Sequence, residues 1–318
     1  MYEFRKQASG QGFGTRAEGP ESVVGHMRKI DRAKRLIRKH SRLFMCPLCG
    51  APVSFNEASS LICSTGHCFD LSKYGYIHLL PRPVKPAKYD KAMFESRHVI
   101  CRSGFFSELV EQIRDIVRNG IGNTHKRINV LDAGCGEGSH LADLVKGLGL
   151  TDAEVLGVGM DISKYGIRIA SREYPGLIWC VADLAQSPFM DQQFDVILNI
   201  FSPSNYSEFA RMLHDDGVLI KIVPGRDYLK ELRNIFYGQT DKQSYSNERV
   251  VTHFRQHFRL VDTRQIRYSR RLNPTDLKHL IYMTPLSWGT TEKNIQRVLQ
   301  MGISSVTIDV TMVVGKKG

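Results

Sequence analysis

The chain has 318 residues, of which 42% are hydrophobic and 24% charged, a composition typical of a soluble globular protein with one or two domains. Its apolar runs are too short for a membrane-spanning helix and its amino terminus lacks an apolar signal region, so a cytoplasmic protein without a membrane partner is expected. The formal net charge is +12, and residues 1–42 alone carry 11 Lys or Arg against 4 Asp or Glu. This balance fits either a polyanionic partner such as RNA or a solvated basic face.

The amino-terminal part of the chain divides into two stretches. Residues 1–26 are rich in glycine, serine and charge without periodicity, which predicts a disordered leader. Residues 27–44 have the period of a basic amphipathic helix, which either presents charge to RNA or is an ordinary surface helix. The apolar residues of its predicted buried face are Met27, Ile30, Ala33, Ile37 and Phe44.

Four of the seven cysteines lie close together in the next stretch. Cys46 and Cys49 form a C-x2-C pair, and Cys63 is followed by His67 and Cys68. Clustered cysteines in a chain without a secretion signal indicate metal binding rather than disulfides. Thiolate and imidazole ligands in tetrahedral number suit Zn²⁺, and a site with four protein ligands is structural rather than catalytic. Spacing alone leaves both His67 and Cys68 as possible fourth ligands.

Several short motifs are spread from the cysteine cluster to the carboxyl-terminal part of the chain. They are C-P-x-C-G from Cys46, C-x3-H from Cys63, F-D-x-x-K-x-G-Y from Phe69, the Arg97–Gly104–Phe106 segment, L-D-A-G-C-G-E-G from Leu131, Pro224-Gly225, and M-T-P-L-S-W from Met283. Together, from about Leu43 onward, they resemble the zinc-binding bacterial 23S rRNA (guanine-N1)-methyltransferases. The combination is specific although no single motif is.

This resemblance implies a zinc module, residues 45–82, that helps to recognise RNA. The zinc ligands that it implies are Cys46, Cys49, Cys63 and His67. It therefore favours His67 over Cys68 as the fourth ligand. It also implies a homodimer whose two zinc modules flank an RNA cleft.

Residues 83–125 are expected to connect the zinc module to a larger domain. The proline- and lysine-rich stretch Arg82 to Lys91 predicts a linker, and Ala92 to Val117 predicts one or two helices that cover the entrance to a sheet. The resemblance places Phe106 near the cofactor S-adenosylmethionine (SAM), while core packing is the alternative role for this side chain.

The stretch Val130 to His140 organises the larger domain. An apolar strand ends in Asp132, and a glycine-rich turn then opens a helical pattern. G-x-G-x-G also occurs in dinucleotide sites and in loops that only pack a helix on a sheet. A second strand that ends in Asp161 suits ribose hydroxyls, and the pair resembles the SAM pocket of a class I methyltransferase. The candidate cofactor residues here are Asp132, Gly134, Cys135, Gly136, Glu137, Gly138, Asp161 and Ile162.

Strand and helix patterns alternate through residues 126–318, which predicts an α/β methyltransferase domain with a Rossmann-like, seven-stranded sheet. The predicted strands of the alternating part are Ile128–Leu131, Glu154–Met160, Leu177–Val181, Phe194–Asn199 and Val218–Val223. The predicted helices are Ser139–Gly147, Lys164–Tyr174, Asn205–Leu213 and Arg226–Tyr237. Ligands of such sheets bind at the carboxyl ends of the strands. Asp183 is expected there to meet the adenine amino group with Leu184 beside it, although an acid in this position can also cap a helix.

Two further segments are candidates for the active site. Asn199 and Ser202 follow the fourth strand, where class I enzymes place the target atom, and are expected to line a pocket for a flipped base. An ordinary turn is the alternative for them. Asn199, at the end of its strand, is also a candidate cofactor residue. Tyr228 stands where the resembling family commonly has histidine, so its expected contact with the cofactor is less secure.

The carboxyl-terminal third completes the predicted domain. Residues 242–256 are polar and predict a loop over the site. Residues 264–271 form a strand-like run with four arginines, and residues 306–314 a β-branched run expected to return antiparallel. Helices are predicted at Pro274–Met283 and Glu292–Met301.

The expected function is SAM-dependent methylation of N1 of a guanine in a 23S rRNA hairpin, with large ribosomal subunit precursor as the partner. One alternative is a SAM-dependent methyltransferase of small molecules, which would share the SAM residues. Another is a non-catalytic zinc-containing RNA-binding protein, against which the acid–glycine–acid pattern argues.

Overall fold

The computed structural model describes residues 27–82, 90–121, 127–149, 154–238 and 246–318. The predicted disordered leader lies outside these residues, as do most of the predicted linker and the first part of the predicted loop. The α-helices are α1 Lys29–Lys39, α2 Lys91–Arg102, α3 Ser107–Ile121, α4 Ser139–Leu148, α5 Lys164–Glu173, α6 Tyr206–Met212, α7 Lys230–Tyr237, α8 Glu248–Arg255, α9 Pro274–Met283 and α10 Glu292–Gln300. Short 3-10 turns are Ser41–Leu43 and Pro285–Ser287.

The strands form two sheets. They are β1 Val53–Phe55, β2 Ser60–Cys63, β3 Cys68–Asp70, β4 Ile77–His78, β5 Arg127–Ala133, β6 Glu154–Asp161, β7 Ile178–Val181, β8 Phe194–Ile200, β9 Leu213–Pro224, β10 Arg259–Arg271 and β11 Ser305–Lys316. Strands β1, β2 and β3 make a small antiparallel sheet. The large sheet has the order β10-β11-β9-β8-β5-β6-β7-β4.

The large sheet confirms the predicted methyltransferase architecture and adds one strand to it. Strands β5 to β9 run parallel, and β11 returns antiparallel between β9 and β10 as expected. Together with β10 these are the seven expected strands. The eighth is the two-residue β4, which pairs parallel with β7 at the edge of the sheet. Because β4 lies near the end of the zinc module, residues 45–82, it ties that module to the sheet.

The sheet buries both faces, as the alternating pattern predicts. One buried cluster joins the strands to helices α3, α4, α9 and α10. The other contains residues of α1, the zinc module, α6 and α8. Phe44, at the end of the amino-terminal helical region, stacks on Phe189 with ring centroids 5.4 Å apart. The zinc module is thus packed against one face of the sheet and shares its core.

Helix α1 ends at Lys39 rather than at Phe44, β9 begins at Leu213 rather than at Val218, and β10 begins at Arg259 rather than at Arg264. Two other predicted boundaries were wrong for identifiable reasons. The end of the predicted loop, residues 248–255, is helix α8, because Phe254 and the neighbouring Phe258 bury their rings beneath the sheet. Helix α7 begins at Lys230 rather than at Arg226. The intervening turn is held to β11 instead, since Gly225 and Asp227 donate backbone hydrogen bonds to the backbone and side chain of Asp309 at 2.7 Å each.

Candidate active site and zinc centre

The four predicted zinc ligands come together at one point of the amino-terminal module. The ligand atoms of Cys46, Cys49, Cys63 and His67 lie within 4.8 Å of one another. Sγ of Cys49 is 3.8 Å from Sγ of Cys63, and Sγ of Cys46 is 3.4 Å from Nδ1 of His67. Tetrahedral zinc with Zn–S bonds of about 2.3 Å separates neighbouring sulfurs by about 3.8 Å, so the cluster has the dimensions of a zinc site.

Two local turns produce this cluster. The Cys46 carbonyl accepts a hydrogen bond from the Gly50 amide at 2.8 Å, and the Cys63 carbonyl accepts one from the Gly66 amide at 3.0 Å. Both glycines have a left-handed backbone, with φ of 71° and 86°, which other residues adopt only with strain. Each ligand pair is therefore shaped by residues next to it in the chain.

Cys68 lies apart from this cluster. Its side chain is exposed on β3, and its Sγ lies 3.7 Å from Oδ1 of Asp70. The geometry thus groups His67 with the three cysteines.

The glycine loop between β5 and α4 is shaped by close neighbours. Gly134, Gly136 and Gly138 all have left-handed backbones, with φ of 91°, 59° and 86°. A Cβ on Gly134 would overlap the side chain of Ser202, and one on Gly138 would approach Trp179 to 2.5 Å. The loop consequently needs glycine for space as well as for backbone conformation.

The acids predicted at strand ends have different surroundings. Asp161 accepts backbone hydrogen bonds from Gly136 at 2.8 Å and from Ser163 at 2.7 Å, so its carboxylate holds the glycine loop against β6. Burial raises the pKa of Asp161, and these N–H groups oppose that shift. Asp183 is half-buried and accepts from the Ala185 amide at 2.9 Å. Ile162 is exposed and Leu184 half-buried, so apolar side chains accompany both acids.

Asp132 is fully buried, and Arg97 is close enough for its charge to act on the Asp132 carboxyl group. Oδ1 of Asp132 and Nε of Arg97 are buried and have no hydrogen-bond partner among the residues that the structure describes. Burial raises the pKa of Asp132 to about 7, against the opposing effect of the Arg97 charge. Buried polar atoms are almost always satisfied in proteins, so an orphaned acceptor and an orphaned donor together fit a ligand that carries both charges. The ammonium and carboxylate of the methionine part of SAM have this character.

Cys135 and Glu137 have interior contacts. The fully buried Glu137 carboxylate accepts hydrogen bonds from Nδ1 of His98 at 2.9 Å and from Oγ of Ser139 at 2.6 Å. Cys135 is buried, with its Sγ next to Gly159. These contacts attach α2 and β6 to the loop. Contact of either residue with the cofactor stays a prediction.

A cavity of about 590 Å³ opens beside the glycine loop, a volume within the range of small-ligand sites. Three of its lining rings form a continuous wall: Phe201 lies 5.9 Å from Phe106 and 5.4 Å from Tyr228 between centroids. Phe201 has a left-handed backbone with φ of 52°, an uncommon conformation for a bulky residue. The structure therefore places the predicted residues Phe106 and Tyr228 on the cavity, together with Phe201.

A buried polar network closes one end of this cavity. Asn199 Nδ2 donates to the carbonyls of Ala133 and Pro203 at 2.9 Å each, and its Oδ1 accepts from Nζ of Lys221 at 2.6 Å. Asn199 is fully buried, whereas Ser202 lines the cavity. Of the two residues predicted to line the base pocket, Ser202 lines this cavity and Asn199 braces the loop behind it, and the role of Ser202 in base binding stays a prediction.

A second cavity of about 460 Å³ adjoins the first on the side of β7. It is lined by Asp183 and Leu184, and it shares Tyr206 and His253 with the first cavity. The acid predicted for adenine and the residues predicted for the target base therefore lie along one groove.

Comparisons with known proteins match two families and several full-length relatives. The zinc-ribbon family described as "RlmA, N-terminal" matches residues 44–88, and a methyltransferase domain family matches residues 130–217. A putative 23S rRNA (guanine-N(1)-)-methyltransferase of Bacillus subtilis (strain 168) is 40% identical over 277 residues, 86% of this chain and 97% of the relative. A 23S rRNA (guanine(748)-N(1))-methyltransferase of Streptomyces fradiae is 32% identical over 86% of this chain and 96% of the relative. A putative enzyme of the same kind from Micromonospora griseorubida is 28% identical over 77% of this chain and 86% of the relative.

The chain belongs to the 23S rRNA (guanine-N1)-methyltransferase family. Its cofactors are accordingly SAM, in a class I methyltransferase fold, and a structural Zn²⁺ in the zinc ribbon. Within the described ranges, no helix is both long enough and apolar enough to cross a membrane.

Two residues of this family member's site were missed from sequence. Arg97 stood in a recognised motif, but nothing in the sequence indicated that its charge would act on the carboxyl groups of Asp132, Glu137 and Asp161. Lys221 lies in the apolar run of β9, where an isolated lysine is itself a signal that could have been noticed. A charge in the middle of a buried strand needs a polar environment, and the carboxyl end of a parallel sheet provides one.

Proposed function

We propose that the protein transfers a methyl group from SAM to N1 of a guanine in 23S rRNA, acting on the large ribosomal subunit precursor. The observation that carries this proposal is the similarity to the putative 23S rRNA (guanine-N(1)-)-methyltransferase of Bacillus subtilis. That protein is 40% identical to this chain, and the match covers 97% of its length. The aromatic wall of the larger cavity supports it, because a flipped base is held by stacking between aromatic side chains.

We assign the cofactor end of the groove to the carboxyl ends of β5, β6 and β7. Asp161 with Ile162 would hold the ribose hydroxyls, and Asp183 with Leu184 would meet the adenine. The glycine loop would approach the methionine part, whose ammonium and carboxylate would be met by Asp132 and Arg97. Bound SAM supplies a methyl group made electrophilic by its sulfonium sulfur.

The base end of the groove would be the larger cavity. Phe106 and Tyr228, which we also propose as contacts of SAM, would stack with Phe201 on the flipped guanine and exclude water, and Ser202 would contact the edge of the base. Guanine N1 carries a proton at neutral pH, so this proton has to leave for N1 to accept a methyl group.

We assign RNA recognition to the zinc module, residues 45–82, together with α1. Basic side chains of α1, including Arg32 and Arg35, are exposed beside this module. The arginines of β10 give less support for RNA binding, because some of them make contacts within the protein. Arg267 pairs with Asp227 at 2.6 Å, and Arg270 donates to the backbone of Gly104 and Phe105.

We further propose that the enzyme is a cytoplasmic homodimer in which two zinc modules face one RNA hairpin. The resemblance described above is the support for this arrangement. Light scattering of the purified protein at micromolar concentration would give twice the mass of the chain, and a monomer mass would remove the dimer.

The test of the function is transfer of labelled methyl from SAM into 23S rRNA, followed by nucleoside analysis. Label in 1-methylguanosine is expected. Label in another nucleoside would replace guanine N1 as the target. Bound SAM without label in either naked rRNA or ribosomal subunits would favour a small-molecule substrate or a non-catalytic RNA-binding role.

A further inference from the structure

Lys221 is a buried lysine that lines the larger cavity. It pairs in register with Asn199 of the neighbouring parallel strand, so both side chains leave the sheet on the same face. Its Nζ donates to Oδ1 of Asn199 at 2.6 Å, to Oγ of Ser204 at 2.7 Å and to the carbonyl of Ser202 at 3.2 Å. The three hydrogen atoms of an ammonium group are thereby matched by three oxygen acceptors.

The acceptors themselves are fixed in orientation. Asn199 Nδ2 is committed to the carbonyls of Ala133 and Pro203, so its Oδ1 must face Lys221. The Ser204 hydroxyl donates to the same Oδ1 at 2.8 Å, which leaves its oxygen to accept from Lys221. The ammonium position is therefore determined by the backbone at the end of β5 and by the loop after β8.

The charge of Lys221 is not balanced by a carboxylate. No ion pair found within the described parts of the chain includes Lys221, and its three acceptors are all neutral. Burial therefore lowers the pKa of Lys221 to about 8, because no carboxylate offsets the loss of water around the ammonium. A buried charge without a counter-charge is unfavourable, so a site that keeps one beside a cavity is suited to an anionic ligand group.

Guanine becomes such a ligand during N1 methylation. When N1 loses its proton, negative charge is shared between N1 and O6, and a cation near O6 stabilises that form. We propose that Lys221 faces O6 of the target guanine and stabilises the N1-deprotonated base, an assignment that rests on the function proposed above.

The reaction balances with this assignment. N1 gives its proton to water, the N1 lone pair forms the new bond to the methyl carbon, and the electron pair of the broken carbon–sulfur bond stays on sulfur. Lys221 remains an ammonium throughout. The weakest of its contacts, to the Ser202 carbonyl at 3.2 Å, is the one that O6 can share or replace.

The proposed contact between Lys221 and O6 would also favour guanine over adenine. Guanine presents an acceptor at position 6, whereas adenine presents an amino donor there. An ammonium group cannot accept a hydrogen bond, so the amino group of adenine would gain no favourable contact with Lys221. Lys221 would thus select guanine as well as promote its deprotonation.

The experiment compares wild-type enzyme with Lys221→Met, Lys221→Arg and the surface control Lys146→Met in single-turnover methyl transfer to 23S rRNA, with SAM affinity measured by calorimetry. Near pH 7 we expect Lys221→Met to transfer ~100-fold more slowly, since this is the effect of removing one oxyanion-stabilising donor. SAM affinity should stay within about threefold, because the proposed cofactor residues are elsewhere. Lys221→Arg should recover part of the rate, and Lys146→Met should match the wild type.

The pH profile separates stabilisation of the anion from a structural role. From about pH 6 to about pH 9 the defect of Lys221→Met should shrink, because guanine then loses its N1 proton without help and because Lys221 of the wild type, with a pKa of about 8, loses its own charge. A loss that is the same at every pH, or one matched by lost SAM affinity, would make Lys221 structural and overturn the proposal. If Lys221→Arg were inactive and the wild-type rate rose through about pH 8, the neutral amine of Lys221 would act as a base. That result would also overturn the proposal. Absence of 1-methylguanosine from the wild-type reaction would instead refute the proposed function.

Discussion

The zinc centre and the methyl-transfer site are built in opposite ways. The zinc ligands lie within 22 residues of one another in the chain, from Cys46 to His67, and each pair is shaped by its own glycine turn. The proposed transfer site gathers Arg97, Asp132, Lys221 and Tyr228, which come from α2, from two strands and from the turn before α7. A local site depends on its own short segment, whereas a distributed site depends on the register of the whole sheet.

The largest effect is expected where the local site is removed. In Cys49→Ser/Cys63→Ser the cluster loses two of four ligands, so zinc content should fall from about one per chain to near zero. The zinc module should then unfold, and the melting temperature of the protein should fall. Methylation of rRNA should decrease by ~100-fold or more, because RNA recognition is lost.

The matched control for this variant is Cys68→Ser. Its sulfur is exposed outside the cluster, so zinc content and activity should be unchanged. Retention of zinc by the double variant, or its loss from Cys68→Ser, would mean that the ligand set is wrongly assigned.

The next largest effect is expected from a substitution of Gly134, whose backbone lies against the side chain of Ser202 in the distributed site. Gly134→Ala places a Cβ against Ser202 and forces a left-handed backbone with φ of 91° on alanine. Overlap and backbone strain together should reduce stability by ~2–4 kcal/mol and weaken SAM binding more than tenfold. Thermal unfolding and calorimetry measure both.

Gly176→Ala is the control for the glycine substitution. Nothing lies within 4 Å of its added Cβ, and its φ is not left-handed. Equal behaviour of the two alanine variants would show that the glycine loop is not under the constraint described here.

A smaller effect on SAM binding should follow when the carboxylate of Asp161 is replaced by an amide. Asp161→Asn replaces one oxygen by a donor that faces an N–H group of Gly136 or Ser163. Loss of one charged hydrogen bond should weaken SAM binding by ~10- to 100-fold, equivalent to about 1.5–3 kcal/mol. Asp216→Asn, an exposed acid towards the opposite end of β9, should bind SAM normally. An Asp161→Asn enzyme with wild-type SAM affinity would exclude Asp161 from the pocket.

The smallest effect is a pH dependence of cofactor binding. The pKa of Asp132 is raised to about 7, so its carboxylate is charged above that pH and neutral below it. A cationic ammonium binds the charged form, so SAM affinity should fall roughly tenfold as the pH drops from about 8 to about 6. Asp132→Asn should bind more weakly and without this slope. A wild-type affinity that does not vary over this interval would separate Asp132 from the ammonium.

The sequence by itself determined the features that depend on short segments. The zinc cluster, the acid–glycine–acid pattern and the strand–helix alternation were predictable, because turn glycines, metal-ligand spacing and hydrophobic period act within a few residues. Seven of the eight strands of the large sheet were placed in this way. The family resemblance was equally a property of such local motifs.

Only the tertiary structure decided how these segments meet. The two-residue β4 has too little pattern to be recognised alone and becomes a strand because β7 offers an unpaired edge. Helix α8 forms where a loop was expected, since Phe254 of the helix and Phe258 after it pack against the sheet. Arg97 turns toward Asp132, and Lys221 lies beside Asn199, because strand register and helix packing join residues that are distant in the chain. Side-chain burial and charge are set by such long-range neighbours, and a local sequence pattern does not contain them.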